Sequence, residues 1–163
     1  MRPFSAPTTV SLGITDTCNL RCRHCYNAWR QEDASRATMS RDQVDRLIAM
    51  MVEAGVFHVI DNGGEPLCTF DLLRYTLEEL AAAGLSLSCN SNLTLATPAR
   101  MARLRATGLD HILTSLNSHD EAAVDETVQR PGTLRKILEG IRCTRGAGIR
   151  VSANMVVSRA NRD

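Results

Sequence analysis

Three cysteines fall within eight residues, in the run Cys18-Asn19-Leu20-Arg21-Cys22-Arg23-His24-Cys25. Thiolates at this spacing bind soft metal, either zinc or an iron–sulfur cluster. Zinc needs a fourth ligand. His24 lies in the loop, but its place between Cys22 and Cys25 leaves it little freedom to join the same tetrahedron, and no second cysteine pair stands at zinc-finger spacing. Three cysteines can instead hold three irons of a four-iron cluster and leave the fourth open, and an open metal position goes with catalysis rather than with structure. The remaining cysteines, Cys68, Cys89 and Cys143, are scattered and read as ordinary core or surface positions.

The elements that must position these thiols alternate between two periodicities. A short strand over Val10–Thr15 runs into the cysteine loop. Ser40 and Gln43 form a capping box for a helix with Val44, Leu47, Ile48, Met51 and Val52 on one face, stopped at Gly55. A strand over Phe57–Asp61 leads into Asn62-Gly63-Gly64-Glu65-Pro66, and a helix over about 71–83 follows. Leu85–Cys89 is a third strand. Thr97 and Pro98 start a helix to about Thr107, and His111–Leu116 is a fourth strand. Ser118 and Glu121 are expected to cap a short helix. Thr133 is expected to cap a longer one with Leu134, Ile137, Leu138 and Ile141 inward, before a fifth strand over Ile149–Val157. The stretch Gln31–Ala37 reads as a polar surface loop.

Five strands alternating with helices predict an α/β fold with a right-handed parallel array. The polar residues then share an end. The cysteines follow strand one, Gly-Gly-Glu-Pro follows strand two, and Asn90-Ser91-Asn92 ends strand three. Ser115 and Asn117 end strand four, and Asn154 lies within strand five. In such folds sites form at the carboxyl ends of strands.

Composition narrows the function classes. In 163 residues, 44% are apolar and 23% charged, which excludes a disordered chain, and 19 Lys and Arg balance 18 Asp and Glu. That balance offers no electrostatic field for nucleic acid. No apolar run is long enough to cross a membrane, and Met1–Val10 lacks the layout of a secretory signal, so a cytoplasmic location is expected.

The run ITDTCNLRCRHCY, with Cys18-x3-Cys22-x2-Cys25, resembles the signature of the radical S-adenosylmethionine (radical SAM) enzymes. GGEP after the second strand, SNLTL after the third, SLN at the fourth and NMVVSRAN at the fifth extend the resemblance from about Val10 to Asp163. The resemblance implies a partial, TIM-like (β/α) barrel. It also implies a [4Fe-4S] cluster on Cys18, Cys22 and Cys25, and S-adenosyl-L-methionine bound at the open iron. Reductive cleavage of that cofactor would give a 5′-deoxyadenosyl radical that abstracts hydrogen from substrate. By position, Gly63 and Gly64 would let the backbone approach the methionine moiety, with Glu65 and Pro66 fixing that edge. His24 would meet the adenine through its backbone. Ser115 and Asn117 would face the ribose or methionine end, Asn154 would lie near the ribose, Asn92 would join the cofactor-binding residues, and Arg130 would pair with the methionine carboxylate. Asn62, Asn117 and Ser91-Asn92-Leu93 depart from the commoner Thr or Ser, Asp and Thr-Asn-Gly of the family.

Within the family the motifs look most like peptide-modifying maturases of the SPASM group, which implies a precursor peptide as substrate and an electron donor such as flavodoxin or ferredoxin. The alternatives are a molybdenum-cofactor-type cyclase and a non-catalytic metal- or cluster-binding fragment. The family barrel has six βα units and five are countable here. Residues 1–163 are therefore expected to be an incomplete core, lacking the sixth unit and any C-terminal domain, that a complementing polypeptide would complete.

Overall fold

The computed structural model describes residues 7–27, 37–158 and 161. Its elements follow in the order β1 (Thr9–Leu12), α1 (Arg41–Glu53), β2 (His58–Asp61), a 3-10 turn (Pro66–Thr69), α2 (Phe70–Ala82), β3 (Ser86–Asn90), α3 (Pro98–Ala106), β4 (His111–Ser115), α4 (Glu121–Val128), α5 (Thr133–Gly146) and β5 (Arg150–Asn154). The five strands are parallel and lie in sequence order. This is the expected α/β winding, in which each crossover places the next strand beside the last. No helix among the described residues is long and apolar enough to cross a membrane.

Local chemistry sets several boundaries as anticipated. Ser40 and Gln43 make the reciprocal capping box of α1, and Thr97 accepts from Arg100 N at 3.3 Å with Pro98 in the first turn of α3. Elsewhere the structure corrects the sequence reading. Helix α4 opens on Asp120, whose carboxylate accepts from Ala123 N at 2.7 Å, while Ser118 accepts from Asp120 N. The charged acceptor takes the cap from the hydroxyl. Thr133 is the first residue of α5 rather than its cap. Gly132 occupies that place in a left-handed conformation, and the Asp125 carboxylate of α4 accepts from both Gly132 N and Thr133 N. Strand β1 ends at Leu12 because Thr15 bridges to Thr38 instead. Strand β5 stops at Asn154, which puts that residue at the strand end rather than inside it. Val52 and Leu138, read as inward, are exposed at the margins of their helical stripes. Residues 31–36 of the expected surface loop lie outside the described residues.

Helices cover one face of the sheet. Leu12, Val59, Leu87, Cys89 and Ile112 face a core completed by Ile48, Leu73, Leu77, Met101 and Leu104. Because side chains alternate, the opposite face presents Ser11, His58, Ser88, Asn90, His111, Ser115, Ser152 and Asn154. A second, smaller cluster of Leu20, Val124, Val128, Leu134 and Ile137 packs the cysteine loop against α4 and α5, with Cys18 and Cys22 at its edge.

Asp61 breaks the pattern. It stands at the end of β2 on the helix-covered face, fully buried between Leu12 and Cys89 in register, and neither carboxylate oxygen has a hydrogen-bond partner among the described residues. Burial pushes its pKa up to about 8, and nearby Glu65 adds to the rise. The unfolded acid titrates near ~3.9. Between these values the unfolded chain gives up the proton first, so rising pH favours unfolding. Urea titrations should show stability falling as pH rises across this window, and the Asp61→Asn variant should lose that component of the slope.

Candidate cofactor site at the strand ends

The cysteine loop is built on a close backbone contact. Gly64 N donates to Thr15 O at 2.7 Å, and Glu65 N donates to Thr17 O at 2.8 Å. A Cβ on Gly63 would lie 2.3 Å from Thr15 O, and one on Gly64 would lie 2.4 Å from Thr17 O. The two glycines are thus required by the approach of the cysteine-loop backbone, a different physical reason from the one expected from the sequence.

Glu65 then joins the second and third strand ends. Its carboxylate is buried and accepts from Leu67 N at 3.0 Å, Ser91 Oγ at 2.7 Å and Asn92 N at 2.7 Å. Burial raises its pKa while these three donors oppose the rise. Asn92 passes the connection on. Its amide donates to Asn19 Oδ1 at 2.9 Å, and Asn19 donates to Thr94 Oγ1 at 2.8 Å, so the loop between the first two cysteines is pinned to the end of β3.

From the other side, α4 receives the loop. Arg21 N donates to Val128 O and Arg23 N to Thr127 O, which satisfies carbonyls that a helix end leaves unpaired. Arg23 pairs with Glu126 at 2.8 Å.

A cavity of about 330 Å³ lies over this construction. Cys18, Cys22, His24 and Cys25 line it from the loop, and Gly63, Gly64 and Glu65 from the turn. Asn92, Ser115, Asn117 and Asn154 line it from the ends of the last three strands. Two sequence candidates lie elsewhere. Pro66 is buried at the start of the 3-10 turn, and Arg130 is exposed, its guanidinium donating to Asn19 O at 2.8 Å. Arg130 therefore braces the cysteine loop from outside, because the left-handed Gln129 at the end of α4 turns the chain away from the cavity.

Several cavity residues escaped sequence reasoning. Tyr26 lines the cavity with its hydroxyl donating to Asn62 Oδ1 at 2.8 Å, and the Asn62 amide donates to Ser11 Oγ at 2.7 Å. Asn117 accepts from Val156 N at 3.0 Å, and its amide nitrogen is 3.5 Å from His24 Nε2. Only the position of Tyr26 directly after the third cysteine could have drawn attention to it.

The donor set suits a soft metal group. Desolvation pushes the Cys18 thiol up, and that of Cys22 up to about 12, with the neighbouring thiols adding to each rise. Three thiols on one wall of a polar cavity nonetheless form a donor set that fits an iron–sulfur cluster with an adjoining polar cofactor. Among the described residues no three His, Cys, Asp or Glu converge on a single metal ion. Cys89 is buried in the core, as its alternating strand pattern suggested.

Leu93 explains one departure noted in the sequence. Its φ is 57°, the left-handed region that favours the glycine commoner there, and its side chain is fully buried. Gly140 of α5 makes the room, since a Cβ there would meet Leu93 O at 2.2 Å.

A model of the Radical SAM superfamily matches residues 12–161. The chain is 29% identical over 158 residues to the PqqA peptide cyclase of Bradyrhizobium diazoefficiens, covering 97% of this chain and 41% of that protein. It is 35% identical over 163 residues to the GTP 3′,8-cyclase of Mycolicibacterium smegmatis, covering 93% of this chain and 43% of that protein. The chain thus spans less than half the length of these curated relatives. Among solved structures it resembles Streptococcus suis SuiB with a TM-score of 0.79 at 19% identity, over 95% of this chain and 34% of that one.

The glycine contacts make paired expectations. Gly63→Ala and Gly140→Ala should each lower stability by about 2 kcal/mol, the usual cost of forcing an atom into packed surroundings. Gly13→Ala, whose Cβ would meet nothing closer than 3.6 Å, and Gly146→Ala, which would meet nothing within 4 Å, should be tolerated. Urea midpoints of the four variants check this.

Proposed function

The chain belongs to the radical SAM superfamily, and from that premise we propose that residues 12–161 form the cofactor-binding core of an enzyme that abstracts hydrogen from a peptide substrate. The observation that carries the reading is the single cavity shared by the three thiols and the polar ends of the later strands. Cys18, Cys22 and Cys25 would hold a [4Fe-4S] cluster with one iron free for S-adenosylmethionine. When bound, that pair supplies one-electron cleavage of S-adenosylmethionine, the source of a hydrogen-abstracting 5′-deoxyadenosyl group.

The protein's own residues orient and shield. Gly63 and Gly64 would present backbone groups to the methionine ammonium, while Pro66 starts the buried 3-10 turn behind them. Glu65 and Asn92 serve that edge indirectly, since Glu65 Oε1 and Oε2 hold the turn to β3 and the Asn92 amide is engaged by Asn19. Ser115, Asn117 and Asn154 offer hydroxyl and carboxamide groups to the ribose and methionine ends. His24, which lines the cavity, would meet the adenine through its backbone. Arg130 holds the Asn19 carbonyl, and with it the loop, rather than the methionine carboxylate.

Peptide modification is favoured by the similarity to a PqqA peptide cyclase. The second reading, a cyclase of the molybdenum-cofactor type, is supported by similarity to GTP 3′,8-cyclases at 31–35% identity. Six free cysteines suit a reducing compartment such as the cytoplasm, where a flavodoxin or ferredoxin would donate the electron.

The test is anaerobic reconstitution with iron and sulfide, reduction, addition of S-adenosylmethionine and assay for 5′-deoxyadenosine. Product is expected, and its loss in Cys22→Ala. A chain that binds zinc in place of a cluster, or that forms product equally well without Cys22, overturns the reading.

A further inference from the structure

Asp61 is a buried acid that the cofactor rim does not use. Neither of its oxygens has a partner among the described residues. An orphaned polar group of this kind costs free energy that an apolar side chain would not. The register sets it between Leu12 of β1 and Cys89 of β3, and the buried residues of α1 and α2 on this side carry no charge. The titratable groups that face it are the Cys89 thiol, which burial pushes up, and the Glu65 carboxylate. Arg100 reaches the turn beyond Glu65, but its guanidinium donates to the Leu67 and Leu95 carbonyls.

Asp61 and Glu65 are opposites in their surroundings. Glu65 accepts from Leu67 N, Ser91 Oγ and Asn92 N, and Asp61 accepts from no described residue. The two carboxyl groups are near enough for the charge of one to oppose that of the other. In such a pair the negative charge settles on the group with donors and the proton on the group without. Glu65 is therefore the anion of the pair and Asp61 the neutral acid.

The proton stays on Asp61 only while water is kept away. Asp61 ends β2, and the chain just beyond it, Gly63-Gly64-Glu65, is a wall of the cavity. When that turn lifts, Asp61 meets water and becomes an ordinary carboxyl, which titrates near ~3.9. At neutral pH its proton then passes to solvent, and a second negative charge stands beside Glu65. The turn closes again only as the proton returns. The closed rim is thus fully favoured below the open-state value, and loses ground as pH rises toward the closed-state value of about 8.

We propose that Asp61 is a proton-operated latch on the rim: its neutral form seats the Gly63-Gly64-Glu65 turn, and loss of its proton to solvent frees that turn together with the Glu65 hold on Ser91 and Asn92. The release is a property of the chain itself. Its effect on S-adenosylmethionine rests on the reading of this rim as the cofactor site. Asn92 carries the release to the cysteine loop, since its amide holds Asn19 between the first two cysteines.

Amide hydrogen exchange followed by NMR on the whole chain tests this. The reporters are the amides of Glu65, Leu67 and Asn92, which donate to Thr17 O and to the two Glu65 carboxylate oxygens. Leu77, fully buried in α2, reports global unfolding. Measured against intrinsic exchange, protection of the rim amides should fall roughly tenfold from about pH 6 to about pH 8, with exchange faster than at Leu77 throughout. In Asp61→Asn and in Asp61→Leu protection should stay level, because neither side chain titrates. The leucine variant also removes the orphaned oxygens, so a fold weakened by the asparagine does not hide the result. Affinity of the reconstituted chain for S-adenosylmethionine should fall over the same range, and should not fall in either variant. Rim amides that exchange only as fast as Leu77 overturn the proposal. So does a pH response that survives in both variants, which would belong to a histidine such as His24. If the rim amides respond as expected but S-adenosylmethionine binds at no pH, the catalytic reading fails and the latch stands. If S-adenosylmethionine binds while the rim amides ignore pH, the latch fails alone.

Discussion

No side-chain atom fits between residues 63–64 and the backbone of Thr15–Thr17. That exclusion fixes how near the cysteine loop comes to the end of β2, and the rest of the rim is arranged around it. With the two backbones in contact, Glu65 points inward, where its buried carboxylate gathers Leu67 N, Ser91 Oγ and Asn92 N. A buried carboxylate is stabilised when its oxygens are satisfied, so Glu65 ties the segment after β3 to the turn after β2. Asn92 and Asn19 then return the constraint to the cysteine loop, closing a ring of contacts through three segments that are far apart in the chain.

The two faces of the sheet divide the work. The helix-covered face of the sheet is apolar except at Asp61 on β2 and Thr114 on β4, whose side-chain oxygens lack partners among the described residues. The helix-free face is polar along nearly its whole length. The polar face continues into the cavity through Asn90, Ser115 and Asn154.

Departures from the family pattern are absorbed locally. Leu93 takes a left-handed backbone that costs a branched side chain roughly 1 kcal/mol, and complete burial of that side chain contributes about 2–3 kcal/mol in return. Gly140 on α5 leaves room for this backbone, since any side chain there would collide with the Leu93 carbonyl. Asn62 keeps a polar group before the two glycines and uses it to link Tyr26 to Ser11.

The sequence by itself determined the periodic elements, their parallel order and the end of the sheet at which polar residues collect. It did so because helix and strand periods, caps such as Ser40 and Thr97, and the spacing of Cys18, Cys22 and Cys25 are local properties. Tertiary structure decided what depends on contacts between distant residues. It chose Asp125, from the preceding helix, to cap α5, and it turned Arg130 outward onto the Asn19 carbonyl. It also placed the Thr15–Thr17 backbone where the Gly63 and Gly64 side chains would be, and it set Tyr26 beside Asn62. Each of these depends on the distance between atoms many residues apart, a quantity that appears only when the strands are side by side.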